Sequence, residues 1–196
     1  MILASTSSAR RAMLEAAKIP FRAEASGVDE ELATEALVAE GASPRALADA
    51  LAELKAIRVS RRHPGTLVLG ADQVLAFEEG TRLEKPLTRA RLAAQLVQLS
   101  GRRHQLFSAA VLARDGQPIW RHVGVARLHV RPLTPAFIDH YAATVGEGVL
   151  QSVGGYHVEE QGVQLFERIE GDLFTVRGLP LLPLLAQLRH LQELPA

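Results

Sequence analysis

The chain contains no cysteine. That excludes disulfides, thiolate nucleophiles, iron–sulfur clusters and cysteine-ligated zinc. Net charge is also missing: 22 basic side chains face 22 acidic ones, and only 5% of residues are aromatic. This balance suits neither a general nucleic-acid binder nor a protein of anionic membranes, so neither partner is expected. Long apolar runs are absent as well. Met1-Ile2-Leu3-Ala4 gives way at once to Ser5-Thr6-Ser7-Ser8, and the late stretch from Leu179 to Ala186 carries Pro180 and Pro183. Both fall short of the roughly 18 residues of a membrane span, and no signal-peptide core is seen, so a cytoplasmic setting is expected. Lysine is scarce, with only Lys18, Lys55 and Lys85 among the 22 basic residues. Each remaining ammonium draws notice, because ammonium and guanidinium are not interchangeable at a phosphate or metal. The common phosphate-loop, dinucleotide, serine-hydrolase and zinc-protease motifs do not occur. The seven histidines, at 63, 104, 122, 129, 140, 157 and 190, show no metal-ligand spacing.

What remains is a chain of 196 residues, 47% of them hydrophobic. That is enough to bury about 70% of the unfolded surface without a staple. Residues 1–196 are expected to form a single domain of two lobes with a central cleft. Ile2 to Ala4 reads as a short buried strand. Helices are predicted over Ser8–Lys18, Glu31–Glu40, from Pro44 with Ser43 as cap, from Thr88 to Leu99, from Thr134, and over Leu179–Leu191. Thr66 to Ala71 reads as a buried central strand with Asp72 at its carboxyl end, and Val74 to Phe77 reads as extended. His104–Arg114 and Gln117–Arg131 read as long strands joined by an Asp115-Gly116 turn. Val163–Ile169 is a further strand. The pattern predicts an α/β fold with a mixed, twisted sheet flanked by helices.

Three local features bear on chemistry. Ser5-Thr6-Ser7-Ser8-Ala9-Arg10-Arg11 offers hydroxyls, helix N-terminal amides and guanidinium groups to an anion, while the residues alone favour a capped helix with solvated arginines. In Gly70-Ala71-Asp72-Gln73, an acid ends a buried strand where open α/β sheets place ligands, with small residues that leave room for one. A strand-end cap is the other reading. The carboxylates Asp29, Glu30 and Asp72 could hold a divalent cation, with Lys55 and Lys85 neutralising phosphates, although spacing does not prove convergence.

Taken in order, these residues resemble the Maf family of nucleoside triphosphate pyrophosphatases, known as septum-formation inhibitors. Leu3-Ala4-Ser5-Thr6-Ser7-Ser8-Ala9-Arg10-Arg11, Val28-Asp29-Glu30, Leu54-Lys55-Ala56 and Leu69-Gly70-Ala71-Asp72-Gln73 are similar to successive family motifs. So are Glu84-Lys85-Pro86, Leu99-Ser100-Gly101-Arg102-Arg103-His104, and Phe166 to Gly171 followed by Val176-Arg177-Gly178-Leu179-Pro180. The resemblance covers essentially the whole chain. It implies hydrolysis of a nucleoside triphosphate between the α- and β-phosphates, giving a monophosphate and pyrophosphate with Mg²⁺, or Mn²⁺ in its place. It assigns Asp72 as proton acceptor, Arg10, Lys55 and Lys85 to the phosphates, and Glu30 with Asp72 to the metal. It also implies a homodimer.

Ala9, Gln73 and Glu159 fall at the family's specificity positions. Gln73 and Glu159 resemble the subgroup acting on 7-methyl-GTP, whose ring is cationic and would favour a nearby carboxylate. Members acting on dTTP and UTP carry other residues there, and that activity is the alternative. A non-catalytic regulator of septum formation is a third reading. Ser8 stands where the family has proline, and Phe107-Ser108-Ala109 replaces its usual triplet.

Overall fold

The computed structural model describes residues 1–195. Among these residues, seven strands form one mixed sheet, accompanied by seven α-helices. In chain order the elements are β1 (Ile2–Ala4), α1 (Ser8–Ala16), β2 (Arg22–Ala23), α2 (Glu30–Ala39), α3 (Pro44–Ser60), β3 (Val68–Phe77), β4 (Arg82–Leu83) and α4 (Arg89–Leu99). Then come β5 (Arg103–Arg114), β6 (Gln117–Val130), α5 (Pro135–Thr144), three 3-10 turns between 147 and 165, β7 (Phe166–Glu170), α6 (Leu173–Val176) and α7 (Leu181–His190). The sheet order is β2-β1-β3-β5-β6-β7, with β4 on β3. Among the described residues, no helix is long and apolar enough to cross a membrane.

Helix starts follow local chemistry. Ser7, Asp29, Ser43, Thr88, Thr134 and Asp172 each accept a main-chain N–H from three residues on. This satisfies donors that a helix start leaves unpaired. The predicted helices therefore appear with ends shifted by one or two residues. The β5–β6 turn also forms where Asp115-Gly116 predicts it, with both residues at positive φ (52° and 74°). A two-residue hairpin turn of this hand needs that geometry.

Two predicted strands are corrected. The central strand does not end at Ala71: β3 runs ten residues, Val68 to Phe77, so Asp72 lies in its middle. Its first three residues pair in parallel with β1, and Leu75 and Ala76 pair antiparallel with β4. The new partner keeps the chain extended past the acid. The strand expected from Val163 begins at Phe166, because residues 161–165 form a 3-10 turn. Gly162 packs so tightly there that a Cβ would lie 2.5 Å from the His157 carbonyl oxygen.

The chain divides into two compact units. One holds Met1–Gln73, Phe107–Gly124 and the residues from Asp172 on. Its sheet has a helix layer on each face. Ile2, Ala4 and Val68 pack on Val59 of α3. Leu3, Leu69 and Ala71 turn the other way, onto Met13 and Leu14 of α1 and Leu184 and Leu188 of α7. Alternation along β3 sends even-numbered residues toward α3 and odd-numbered residues toward α1 and α7. That parity decides where the functional side chains go.

The other unit holds Val74–Leu106 and Val125–Gly171. Leu92, Leu96, Leu99, Leu106 and Tyr141 are fully buried in it. His104 is buried too, paired through Nε2 with the Tyr156 hydroxyl at 2.6 Å, while its Nδ1 has no partner among the described residues. Burial, helped by the nearby charge of His129, pushes the His104 imidazole down to about 3. Below an ordinary pKa of about 6.5, the unfolded chain therefore takes a proton that the folded chain refuses. Stability is full above about pH 6.5 and should fall as the pH drops toward 3. Urea midpoints measured from about pH 7.5 to 5 should decline, and His104→Gln should flatten that decline.

Candidate active site

Asp72 is even-numbered on β3 and so faces α3, where Lys55 waits. Along α3 the alanines at 48, 52 and 56 are fully buried, next to Leu51, Lys55 and Val59. The small stripe lets the helix backbone approach the sheet at Gly70. A Cβ on Gly70 would lie 2.1 Å from the Ala52 carbonyl oxygen. Gly70 thus makes room for a helix, not for the ligand expected from sequence.

This close approach sets the Lys55 ammonium against Asp72 Oδ1 at 2.6 Å and against Glu30 Oε1 at 3.0 Å. Lys55 and Asp72 keep 6% and 10% of their side-chain surface, whereas Glu30 keeps 48%. The buried pair depends on its mutual charge, because removing either partner strands the other in a low-dielectric setting. Glu30 arrives from the first turn of α2, just after its cap Asp29, whose carboxylate is spent on the Leu32 amide. Asp29 therefore serves the helix start, and Glu30 serves the cluster.

Arg10 completes the group. It is buried at the start of α1, while Arg11 is exposed. Its Nε donates to the Gly178 carbonyl at 2.8 Å, and its Nη1 donates to the Ala71 carbonyl at 2.9 Å and to Ser5 Oγ at 3.2 Å. Burial lowers the Arg10 pKa, and the charges of Asp72 and Glu30 oppose that shift. An arginine still stays cationic at any physiological pH. The helix cap is Ser7, whose Oγ accepts from the Arg10 amide. Arg10, Glu30, Lys55 and Asp72 thus gather in one unit, from four separate elements.

Gln73 is odd-numbered and faces the opposite way from Asp72. Its Nε2 lies 2.9 Å from Ser108 Oγ, 3.2 Å from the Thr175 carbonyl and 3.0 Å from the Val176 carbonyl. Ala9 is half-buried in the first turn of α1. Lys85 and Glu159 belong to the other unit. Lys85 is exposed after β4, and Glu159 is exposed in the turn at 158–160. Next to it, Glu160 pairs with His157 at 3.4 Å, and Gln161 bonds Thr144. The sequence reading missed Thr175 and the Gly178 carbonyl, and saw Ser108 only as a departure. No side-chain pattern marks a carbonyl as a ligand, although the left-handed Gly178 (φ 97°) is a signal of unusual backbone.

Among the described residues, no three acidic or histidine side chains gather to cage a metal. The two carboxylates that converge on Lys55 are the available oxygen ligands. This suits a cation that takes one or two protein carboxylates and fills its shell from substrate phosphates and water.

Known proteins are similar to this chain over nearly its whole length. A nucleoside triphosphate pyrophosphatase of Sphingopyxis alaskensis is 52% identical over 189 residues, covering 96% of each chain. A 7-methyl-GTP pyrophosphatase of Rhizobium meliloti is 50% identical over 197 residues, covering 100% of this chain and 98% of its own. Another of that name, from Mesorhizobium japonicum, is 51% identical over 191 residues, covering 97% and 96%. The family described as Maf-like protein matches residues 1–191, and the chain belongs to it.

Proposed function

We propose that this chain hydrolyses the α–β phosphoanhydride of a nucleoside triphosphate, releasing the monophosphate and pyrophosphate, with 7-methyl-GTP as its preferred substrate. One observation carries the reading: the buried Asp72 carboxylate is fixed by Lys55 beside a buried Arg10. Water attacks the α-phosphorus and the bond to the bridging oxygen breaks. Pyrophosphate leaves with the electron pair, and Asp72 accepts the proton. Phosphoryl chemistry of this kind needs positioning and charge neutralisation more than covalent help. Arg10 and Lys55 supply fixed positive charge to the polyphosphate, and Lys85 is assigned to it by the family motifs.

Glu30 and Asp72 fit a divalent cation, Mg²⁺ or Mn²⁺, because their oxygens already converge on a single ammonium. When bound, such an ion would neutralise charge on the phosphate oxygens. The same reading includes a cytoplasmic homodimer.

Base choice is assigned to Glu159, with Ala9 beside the phosphate-binding helix start. Methylation at N7 makes guanine cationic, and a carboxylate discriminates it from neutral rings. Names of relatives support this reading, since several are 7-methyl-GTP pyrophosphatases. The test is pyrophosphate release from 7-methyl-GTP, GTP, UTP and dTTP, each with Mg²⁺ and with Mn²⁺. The highest kcat/KM is expected for 7-methyl-GTP. Glu159 is exposed, so Glu159→Gln should cut the 7-methyl-GTP:GTP ratio by about two- to fivefold, the reach of a solvated charge pair. An unchanged ratio removes the specificity argument. A panel led by UTP or dTTP supports the pyrimidine reading, and an inert protein supports a binding role.

A further inference from the structure

The Gln73 amide does something that its place beside Asp72 does not require. Two of the three atoms around its Nε2 are main-chain carbonyls, which only accept, so the amide nitrogen must be the group that faces them. The Thr175 carbonyl is a hub. It accepts from Gln73 Nε2 at 3.2 Å, from Ser108 Oγ at 2.7 Å and from the Gly178 amide at 3.1 Å. Ser108 and Thr175 are fully buried. Gly178 then turns with φ 97° and presents its carbonyl to Arg10 Nε at 2.8 Å. A Cβ at 178 would lie 3.5 Å from Gln73 Oε1 and 3.7 Å from both Arg10 Nε and Nη2. The Gln73 amide and the Arg10 guanidinium therefore flank one residue.

We infer that Gln73 is a positioning residue for Arg10: by clamping the Thr175 and Val176 carbonyls, it sets the Gly178 carbonyl that aims the guanidinium at the substrate's phosphates. Neutral Gln is the residue type this demands, because it brings two N–H donors. A carboxylate would meet two carbonyls with like partial charge. Consecutive residues of β3 thus serve two tasks on opposite faces, with Asp72 at the reacting phosphorus and Gln73 behind the arginine. Gln73 controls how well the polyphosphate is held, whatever base it carries. The inference rests on the reading of Arg10 as a phosphate contact.

The test uses a ligand without a base. Binding of inorganic tripolyphosphate, without divalent cation, is measured by calorimetry for the full chain and for Gln73→Met, which keeps the volume and removes the donors. Affinity should fall about tenfold or more, as loss of preorganisation does. In the same variant, kcat/KM should fall by one common factor for 7-methyl-GTP, GTP, UTP and dTTP, leaving the ratios between bases within about twofold. Ser108→Ala, which takes one donor from the hub, should shift both readings the same way by less, and it serves if Gln73→Met does not fold. Unchanged tripolyphosphate affinity with altered base ratios overturns the inference and makes Gln73 a reader of the base, while hydrolysis by the parent protein leaves the proposed function standing. A parent protein that neither binds tripolyphosphate nor hydrolyses any triphosphate overturns both.

Discussion

Asp72→Asn is expected to lower pyrophosphate release by about 10²–10⁴-fold, the usual contribution of a positioned proton acceptor. The replacement keeps shape and position on β3. Among the described residues, it removes one of the two charges that pair with Lys55, the other being Glu30, whose side chain is about half exposed (48%). An amide oxygen can still accept from the ammonium, so the fold should lose less than the roughly 3–5 kcal/mol that follows when a buried pair loses a partner outright. Rate and stability therefore separate: activity collapses while the urea midpoint moves modestly. A coupled pyrophosphate assay on the best substrate, run beside urea titrations, reads both. Activity within tenfold of the parent would remove Asp72 from the chemistry.

The second large effect is structural. Gly70→Ala should destabilise the protein by about 3–5 kcal/mol, at the upper end of overpacking costs, because nothing near it can turn aside. The new Cβ would meet the Ala52 carbonyl oxygen at 2.1 Å, the Ala56 nitrogen at 2.6 Å and the Ala56 Cβ at 2.8 Å. Two of these are α3 main chain, so relief requires the helix itself to move away from β3. Lys55 precedes Ala56 on that helix, and any such shift draws its ammonium off Asp72. The melting temperature should drop by about 8–15 °C for a chain of this size, and catalysis should fall in the protein that remains folded. Gly146→Ala is the control, since a Cβ there meets nothing within 4 Å and φ is −62°. Scanning calorimetry on both variants decides. A Gly70→Ala protein melting within about 2 °C of the parent would mean that α3 does not pack as described.

Much of the fold was legible because its signals are local. A Ser, Thr or Asp cap reaches an amide three residues on, as at Ser43 and Thr134. A turn such as Asp115-Gly116 needs only its own two dihedral angles. The family motifs group Arg10, Glu30, Lys55, Lys85 and Asp72; Arg10, Glu30, Lys55 and Asp72 lie together in one unit, and Lys85 belongs to the other. What the residues alone misjudged was context. Asp72 looked like the end of a strand because acids and glycines usually stand outside strands, yet partners on either side keep β3 extended. Gly70 looked like space for a ligand because a missing side chain does not say what fills its place. Gln73 falls at a specificity position by resemblance, and nothing local in the sequence places its amide against main chain 102 and 103 residues away.

By itself, the sequence determined the element types, most of the helix starts, the exclusion of thiol chemistry and the candidate set of charged residues. The first three depend on composition or on contacts within a few residues, and the charged set follows from the resemblance to the Maf family. The tertiary structure alone decided that parity along β3 sends Asp72 to Lys55 and Gln73 to Thr175, and that Arg10 reaches a carbonyl 168 residues away. Those choices come from strand register and helix packing, in which atoms distant along the chain compete for the same few ångströms, and no short stretch of residues encodes that outcome.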